Sequence, residues 1–181
     1  MSFLCSLGSV GFSGSRSPSK AAVLALESVL PLVPVHSCRI SVGCQRGVDA
    51  LVRDYFHSSS SLLVFSVASG RFGSGRSAFA RRSMAMVRSI SPRSGCLVAL
   101  PSSPSCQRGV SPSRKFFGAG SGTWGSVSFA LGCGRKVLLW LPSGCLPPSW
   151  SDVEWSVSSE APMGCWWFAV PVPAPVQLSL F

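Results

Sequence analysis

Acidic side chains are scarce in this chain, and the scarcity is uneven. Only six Asp and Glu stand against sixteen Lys and Arg in 181 residues, for a formal net charge of +10. Three acids lie early (Glu27, Asp49, Asp54) and three late (Asp152, Glu154, Glu160). Between Asp54 and Asp152 there is no carboxylate, while basic residues recur from Arg71 to Lys136. A tract this long without compensating acids favours a polyanionic partner.

Other absences narrow the chemistry. The only histidines are His36 and His57, with no Ser or Cys partner in motif spacing, so both read as structural. Eight cysteines are scattered from Cys5 to Cys165 and never form a C-x-x-C pair, which argues against a zinc site and for free thiols in a reducing compartment. There is no Gly-Lys-Ser/Thr phosphate loop, which disfavours ATP hydrolysis. No apolar run reaches the roughly 18–20 residues of a membrane helix. The first residues, Met1-Ser2-Phe3-Leu4-Cys5, lack the basic region of a signal peptide. The expectation is a soluble, cytoplasmic protein with no membrane partner, no metal and no cofactor.

What is present suffices for a core. Hydrophobic residues make up 46% of the chain and mean hydropathy is +0.39, so one compact domain with a modest tail is expected. Residues 3–12 are apolar and end in a strand that runs into a turn. Ser17 as N-cap and Pro18 as first residue then start a helix carrying Val23, Leu26, Val29 and Leu30. Pro31 and Pro34 end it, and 35–42 reads as a second strand. Val48, Leu51, Val52, Tyr55 and Phe56 fall on one face of a second helix. Leu62–Phe65 is a third strand, apolar throughout, as in a buried parallel sheet. A basic Gly-rich loop, 69–75, leads to a third helix with Phe79, Met86, Val87 and Ile90 as its apolar positions. Residues 96–100 form a fourth strand, and 102–113 a Ser/Pro loop. A glycine loop, a helix over 127–131 and a fifth strand over 137–141 follow. Strand–helix alternation of this kind predicts an α/β fold with a doubly wound, mainly parallel sheet and helices on both faces. Cys44–Val48 reappears as Cys106–Val110, but no surrounding periodicity supports a true repeat.

Three loops at strand ends carry the functional signal. The first offers Gly11, Ser13, Gly14, Ser15 and Arg16. The second offers Gly43, Arg46, Gly47 and Asp49. The third is the most open, with Gly118, Gly120, Ser121, Gly122 and Thr123. Glycine lets a backbone approach a ligand closely, and the unpaired first amides of a helix favour an anion such as phosphate. Arg76, Arg81 and Arg82 add charge for a nucleic-acid backbone. Trp124, just after the third loop, suits either base stacking or core packing.

In order and spacing these loops resemble those of the Rossmann-like superfamily that contains DNA-processing protein A (DprA), the Lonely Guy phosphoribohydrolases and related nucleotide-sensor (SLOG) domains. The resemblance rests on 11–16, 43–50 and 120–123 and covers about residues 8–142. It implies loops that bind single-stranded DNA or a nucleoside monophosphate. The hydrolases look like PGGxGTxxE at the third loop, with the Glu taking part in catalysis. Ser126 stands at that position here, which tilts the reading from catalysis towards binding. Asp49 is the one acid beside a ligand loop, and so the candidate acid if the chain is an enzyme; its plain alternative is a charge that favours a helix start.

From Pro142 the composition shifts to Pro, Ser and Trp. The expected organisation is a binding domain over 1–142, a Trp-rich extension over 143–170 packed on it, and a Pro-rich tail over 171–181. The tail ends Gln177-Leu178-Ser179-Leu180-Phe181, which resembles the short peptides by which bacterial replication and repair proteins dock on the DNA polymerase sliding clamp. Gln177 would supply amide hydrogen bonds, Ser179 would lie between the anchors, and Leu178, Leu180 and Phe181 would fill an apolar cleft. The expected partners are therefore single-stranded DNA or a nucleotide, and the sliding clamp, with self-association left open.

Overall fold

A computed structural model describes residues 2–118, 120–161 and 163–172. Its elements in chain order are β1 (Ser9–Gly14), α1 (Lys20–Val29), β2 (Arg39–Gly43), α2 (Val48–Tyr55), β3 (Leu62–Phe65), α3 (Arg76–Arg88), β4 (Gly95–Leu100), α4 (Gly122–Gly132), β5 (Lys136–Pro142), β6 (Val153–Ala161) and β7 (Gly164–Pro171), with short 3₁₀ turns between some of them. The strands form one sheet in the order β3-β2-β1-β4-β5-β7-β6. The first five are mutually parallel, and β7 and β6 pair antiparallel. The fold is α/β, with a mixed, mostly parallel sheet.

Alternate strand residues feed two separate apolar clusters, as the two-residue period of a strand requires. Phe12, Val98 and Leu138 join Leu26 of α1 and Val52 of α2 in one. Leu97, Ala99 and Leu139 join Met86 of α3 and Phe129 of α4 in the other. Residues Gly95 to Leu100 of β4 are all buried, as befits a central strand. Among the described residues, no helix is long and apolar enough to cross a membrane.

Three local expectations shift, each for a physical reason. Helix α1 begins at Lys20, with Ser19 as its cap: the Ser19 hydroxyl accepts from the Ala22 amide at 3.2 Å. The Ser17 amide instead donates to the Ser15 hydroxyl at 3.0 Å, which lengthens the preceding turn. Strand β2 starts four residues later than expected because the Pro34 carbonyl accepts from both Ser37 and Cys38 and holds 34–38 in a turn. Strand β3 is apolar yet lies at the sheet edge, leaving Leu63 and Val64 42% and 46% exposed. An apolar run alone did not distinguish a central strand from an edge.

The Trp-rich segment does more than pack on the sheet: it extends it. Trp166 and Trp167 of β7 pair with Trp140 and Leu139 of β5, and Trp166 is fully buried. Trp150 stacks edge-on against Trp124 and donates its indole N–H to the Val110 carbonyl at 3.0 Å. Pro171 ends β7. The clamp-like residues Gln177, Leu178, Ser179, Leu180 and Phe181 lie outside the described residues.

Candidate functional site

The strand order reverses between β1 and β4. From β1 the chain steps outward through β2 and β3; from β4 it steps the other way to β5. Loops leaving the carboxyl ends of these two neighbours diverge, and a crevice opens between them. A cleft of about 670 Å³ occupies this place. That volume suits a small organic ligand.

Two of the three glycine loops form its walls. Ser13, Gly14, Ser15 and Arg16 line it from the end of β1. Gly118, Gly120, Ser121, Gly122 and Thr123 line it from the loop that opens α4. The Ser121 hydroxyl caps α4 by accepting from the Trp124 amide at 3.4 Å. This cap leaves the Gly122 and Thr123 amides without a partner among the described residues. Helix α3 also starts at the cleft. Its cap is Gly75, which supplies no side-chain hydrogen bond, and Arg76, Phe79, Arg82 and Ser83 face the space. Two helix N-termini therefore point partial positive charge at one cavity.

The second glycine loop has a different job. Its carbonyls at Gly43 and Gln45 both accept from Nη1 of Arg53, at 2.8 and 3.0 Å. Its Gln45 amide donates to Asp49 Oδ2 at 3.2 Å. Gly47 has a φ of +74°, and a side chain there would strike the Ser15 carbonyl and Arg16 of the first loop. The loop's polar groups are thus directed inward, and it braces the first loop. Only Gln45 and Asp49 reach the cleft from this region.

Several expected ligand contacts consequently fall elsewhere. Gly11 sits inside β1, paired with Ser41 and Leu97, and a side chain there would meet Ile90 and Met86. It serves packing, not ligand approach. Gly43 is buried beneath the Asp49 and Arg82 side chains. Arg46 is exposed and does not line the cleft. Arg81 is likewise outside it and donates Nε to the Phe72 carbonyl at 2.6 Å. Arg82, expected to meet a nucleic-acid backbone, is 6% exposed and ion-paired: its Nη1 lies 3.5 Å from Asp49 Oδ2. Trp124 is fully buried, with its indole N–H on the Ser103 carbonyl at 3.0 Å, so it belongs to the core. Ser126 is also fully buried and donates to the Gly122 carbonyl at 2.9 Å.

Burial and charge oppose each other at Asp49. Burial raises its carboxyl pKa and outweighs the lowering by Arg82, the Gln45 amide, Arg53 and Arg16. Two aromatic residues complete the lining, Phe79 and Phe116. Phe79 is 38% exposed, and the Arg16 guanidinium lies 5.9 Å from its ring centroid. Periodicity marked Phe79 as a core position of α3. Its place three residues after Arg76 and three before Arg82 was the only signal of a cleft residue, and that spacing is equally common on a buried face. Among the described residues, no group of His, Cys, Asp or Glu is arranged to hold a metal ion. All eight cysteines are free thiols, and burial pushes those of Cys38 and Cys96 up to about 11 and about 12. No family model, curated protein or solved structure matches the chain.

Proposed function

We propose that this chain is a nucleic-acid- or nucleotide-binding protein of the DNA-processing (DprA/SLOG-like) type, working in the cytoplasm on a Rossmann-like, doubly wound scaffold. The observation that carries the reading is the convergence of two glycine-bearing loops and two helix N-termini on one cleft that also holds Arg16, Arg76 and Arg82. Backbone amides of 122–123 and the hydroxyls of Ser13, Ser15 and Thr123 are suited to phosphate oxygens. Phe79 and Phe116 offer faces on which a base can stack. The two apolar clusters, fed by alternate strand residues, support the doubly wound reading.

The test is direct. A fluorescent single-stranded oligonucleotide is titrated with the intact chain and with Arg16→Met/Arg76→Met. Tight binding by the first and weak binding by the second is expected; equal binding removes the cleft from the reading. Recruitment by residues 177–181 is a separate proposal. Sliding clamp should be pulled down by the intact chain and not by one lacking those five residues.

A second reading, a phosphoribohydrolase, draws on one observation: a buried carboxyl with a raised pKa, Asp49, lines the cleft. Release of free base from nucleoside monophosphates would favour it. Purification with a bound mononucleotide would instead favour a small-nucleotide sensor.

A further inference from the structure

The two edges of the sheet are finished differently. At one edge, β6 carries Glu154 and Glu160, and its pairing with β7 shifts register at Val157/Ser159. Charge and irregularity are the usual means by which an edge strand resists a further strand. At the other edge, β3 has neither. Leu62 to Phe65 are all apolar, and they pair with β2 without interruption. No charged side chain occurs from Ser58 to Gly70. Among the described residues no strand covers the outer side of β3, and Leu63 and Val64 stand exposed on opposite faces of it. The strand has the composition of one buried on both faces, and a neighbour on its outer side would supply that burial.

Backbone register and charge then select the neighbour. The Ile40 amide donates to the Ser61 carbonyl at 2.9 Å, and Ile40 and Val42 stand in register with Leu62 and Val64. In a parallel ladder this turns the Leu63 groups towards β2 and points the N–H and C=O of Leu62 and Val64 outward. An identical edge can satisfy those four groups. A closed pair of identical chains has a twofold axis, so every bond must be returned by its symmetry mate. Antiparallel strands meet that condition, because two opposed residues exchange both bonds; parallel strands do not. Each chain carries a net charge of +10, which opposes self-association wherever charged surfaces meet. The uncharged stretch 58–70 lets two copies approach without like charges directly opposed.

We propose that the open edge of β3 is a self-association surface: two copies of this chain join antiparallel through β3, about a twofold axis at Leu63, into one continuous sheet. Leu62 exchanges its N–H and C=O bonds with Val64 of the second copy, and Val64 does so with Leu62. Leu63 faces its own counterpart at the closer, non-hydrogen-bonded spacing, about 4.5 Å between Cα atoms. The antiparallel join points the carboxyl ends of the two parallel sets in opposite directions. The two clefts therefore open at opposite ends of the joined sheet.

The experiment uses the full chain after nuclease treatment, since a bound strand can bridge two basic proteins. Sedimentation at about 100 µM should give twice the monomer mass, falling on dilution as for a small interface. Leu63→Lys opposes two ammonium groups at the axis and should give a monomer with an unchanged far-UV dichroism spectrum. Val157→Lys, on the β6 edge, should remain dimeric. Leu63→Cys should form an intermolecular disulfide on mild oxidation, mapped by mass spectrometry to residue 63 of both chains. That result remains readable if Leu63→Lys fails to fold. Val64→Cys should form none through residue 64, because its counterpart lies diagonally across, beyond disulfide reach. A monomeric wild type overturns the proposal and leaves the edge to a strand from elsewhere, residues 173–181 included. So does a dimer that survives Leu63→Lys, one that Val157→Lys dissolves, or the absence of a crosslink through residue 63.

Discussion

Salt dependence offers the sharpest quantitative test of the cleft. Arg82 is already offset by Asp49, so if a single strand is held in the cleft, Arg16 and Arg76 neutralise about two phosphates. At about −0.7 per phosphate for single strands, a plot of log K against log salt should have a slope near about −1.4. Raising salt from about 50 to about 200 mM should then weaken binding roughly sevenfold. The perturbation is Arg76→Met at the start of α3, which removes one exposed cation without touching the buried pair. The slope should become shallower by about 0.7. Arg81→Met is the control, since Arg81 is directed to the Phe72 carbonyl outside the cleft. Fluorescence anisotropy across a salt series measures both. A flat slope, or an unchanged slope in Arg76→Met, refutes the assignment. So does a slope steeper than about −4, which would require further cations such as Arg108, Arg114 and Lys115, all exposed, to carry much of the binding.

Other outcomes follow from the packing and the buried charges. Gly43→Ala places a methyl group against the Arg82 guanidinium and the Asp49 carboxylate, and should cost about 1–3 kcal/mol in chemical denaturation. Trp166→Ala removes a fully buried indole from the strand that joins β5 to β6, and should cost about 3–5 kcal/mol, with near-UV dichroism reporting the loss of Trp packing. Asp49 titrates higher in the folded protein than its ordinary value of 3.8, despite the facing Arg82, Arg53 and Arg16. The folded state therefore takes up this proton first, and the group adds stability as the pH falls from neutral towards that value. Wild type should gain stability relative to Asp49→Asn over this range. A difference that is independent of pH would show that Asp49 ionises in the fold as it does in the unfolded chain.

Much of the architecture was legible as pattern. The 3.6-residue recurrence from Val48 to Phe56 and the apolar runs at 96–100 and 137–141 correspond to α2, β4 and β5. The β6–β7 hairpin was not legible. Its strands mix Ser, Glu and Trp and contain a register shift at Val157/Ser159, so no clean two-residue alternation marks them. They are strands through pairing across the sheet, β7 antiparallel to β5 and β6 antiparallel to β7.

The sequence by itself determined the alternation of strands and helices, the position of the glycine loops at strand ends, and the surplus of positive charge. These are local or compositional properties, set by periodicity, backbone freedom and residue counts. Tertiary structure decided which loops share a cavity. It brought 13–16 and 118–123 together across the β1–β4 reversal and turned the loop at 43–47 inward onto Arg53 and Asp49. It also placed Arg82, expected to meet a nucleic-acid backbone, in the interior beside Asp49, thirty-three residues away in the chain. Partners so far apart in sequence meet only through sheet order and helix packing, and no local pattern encodes that meeting.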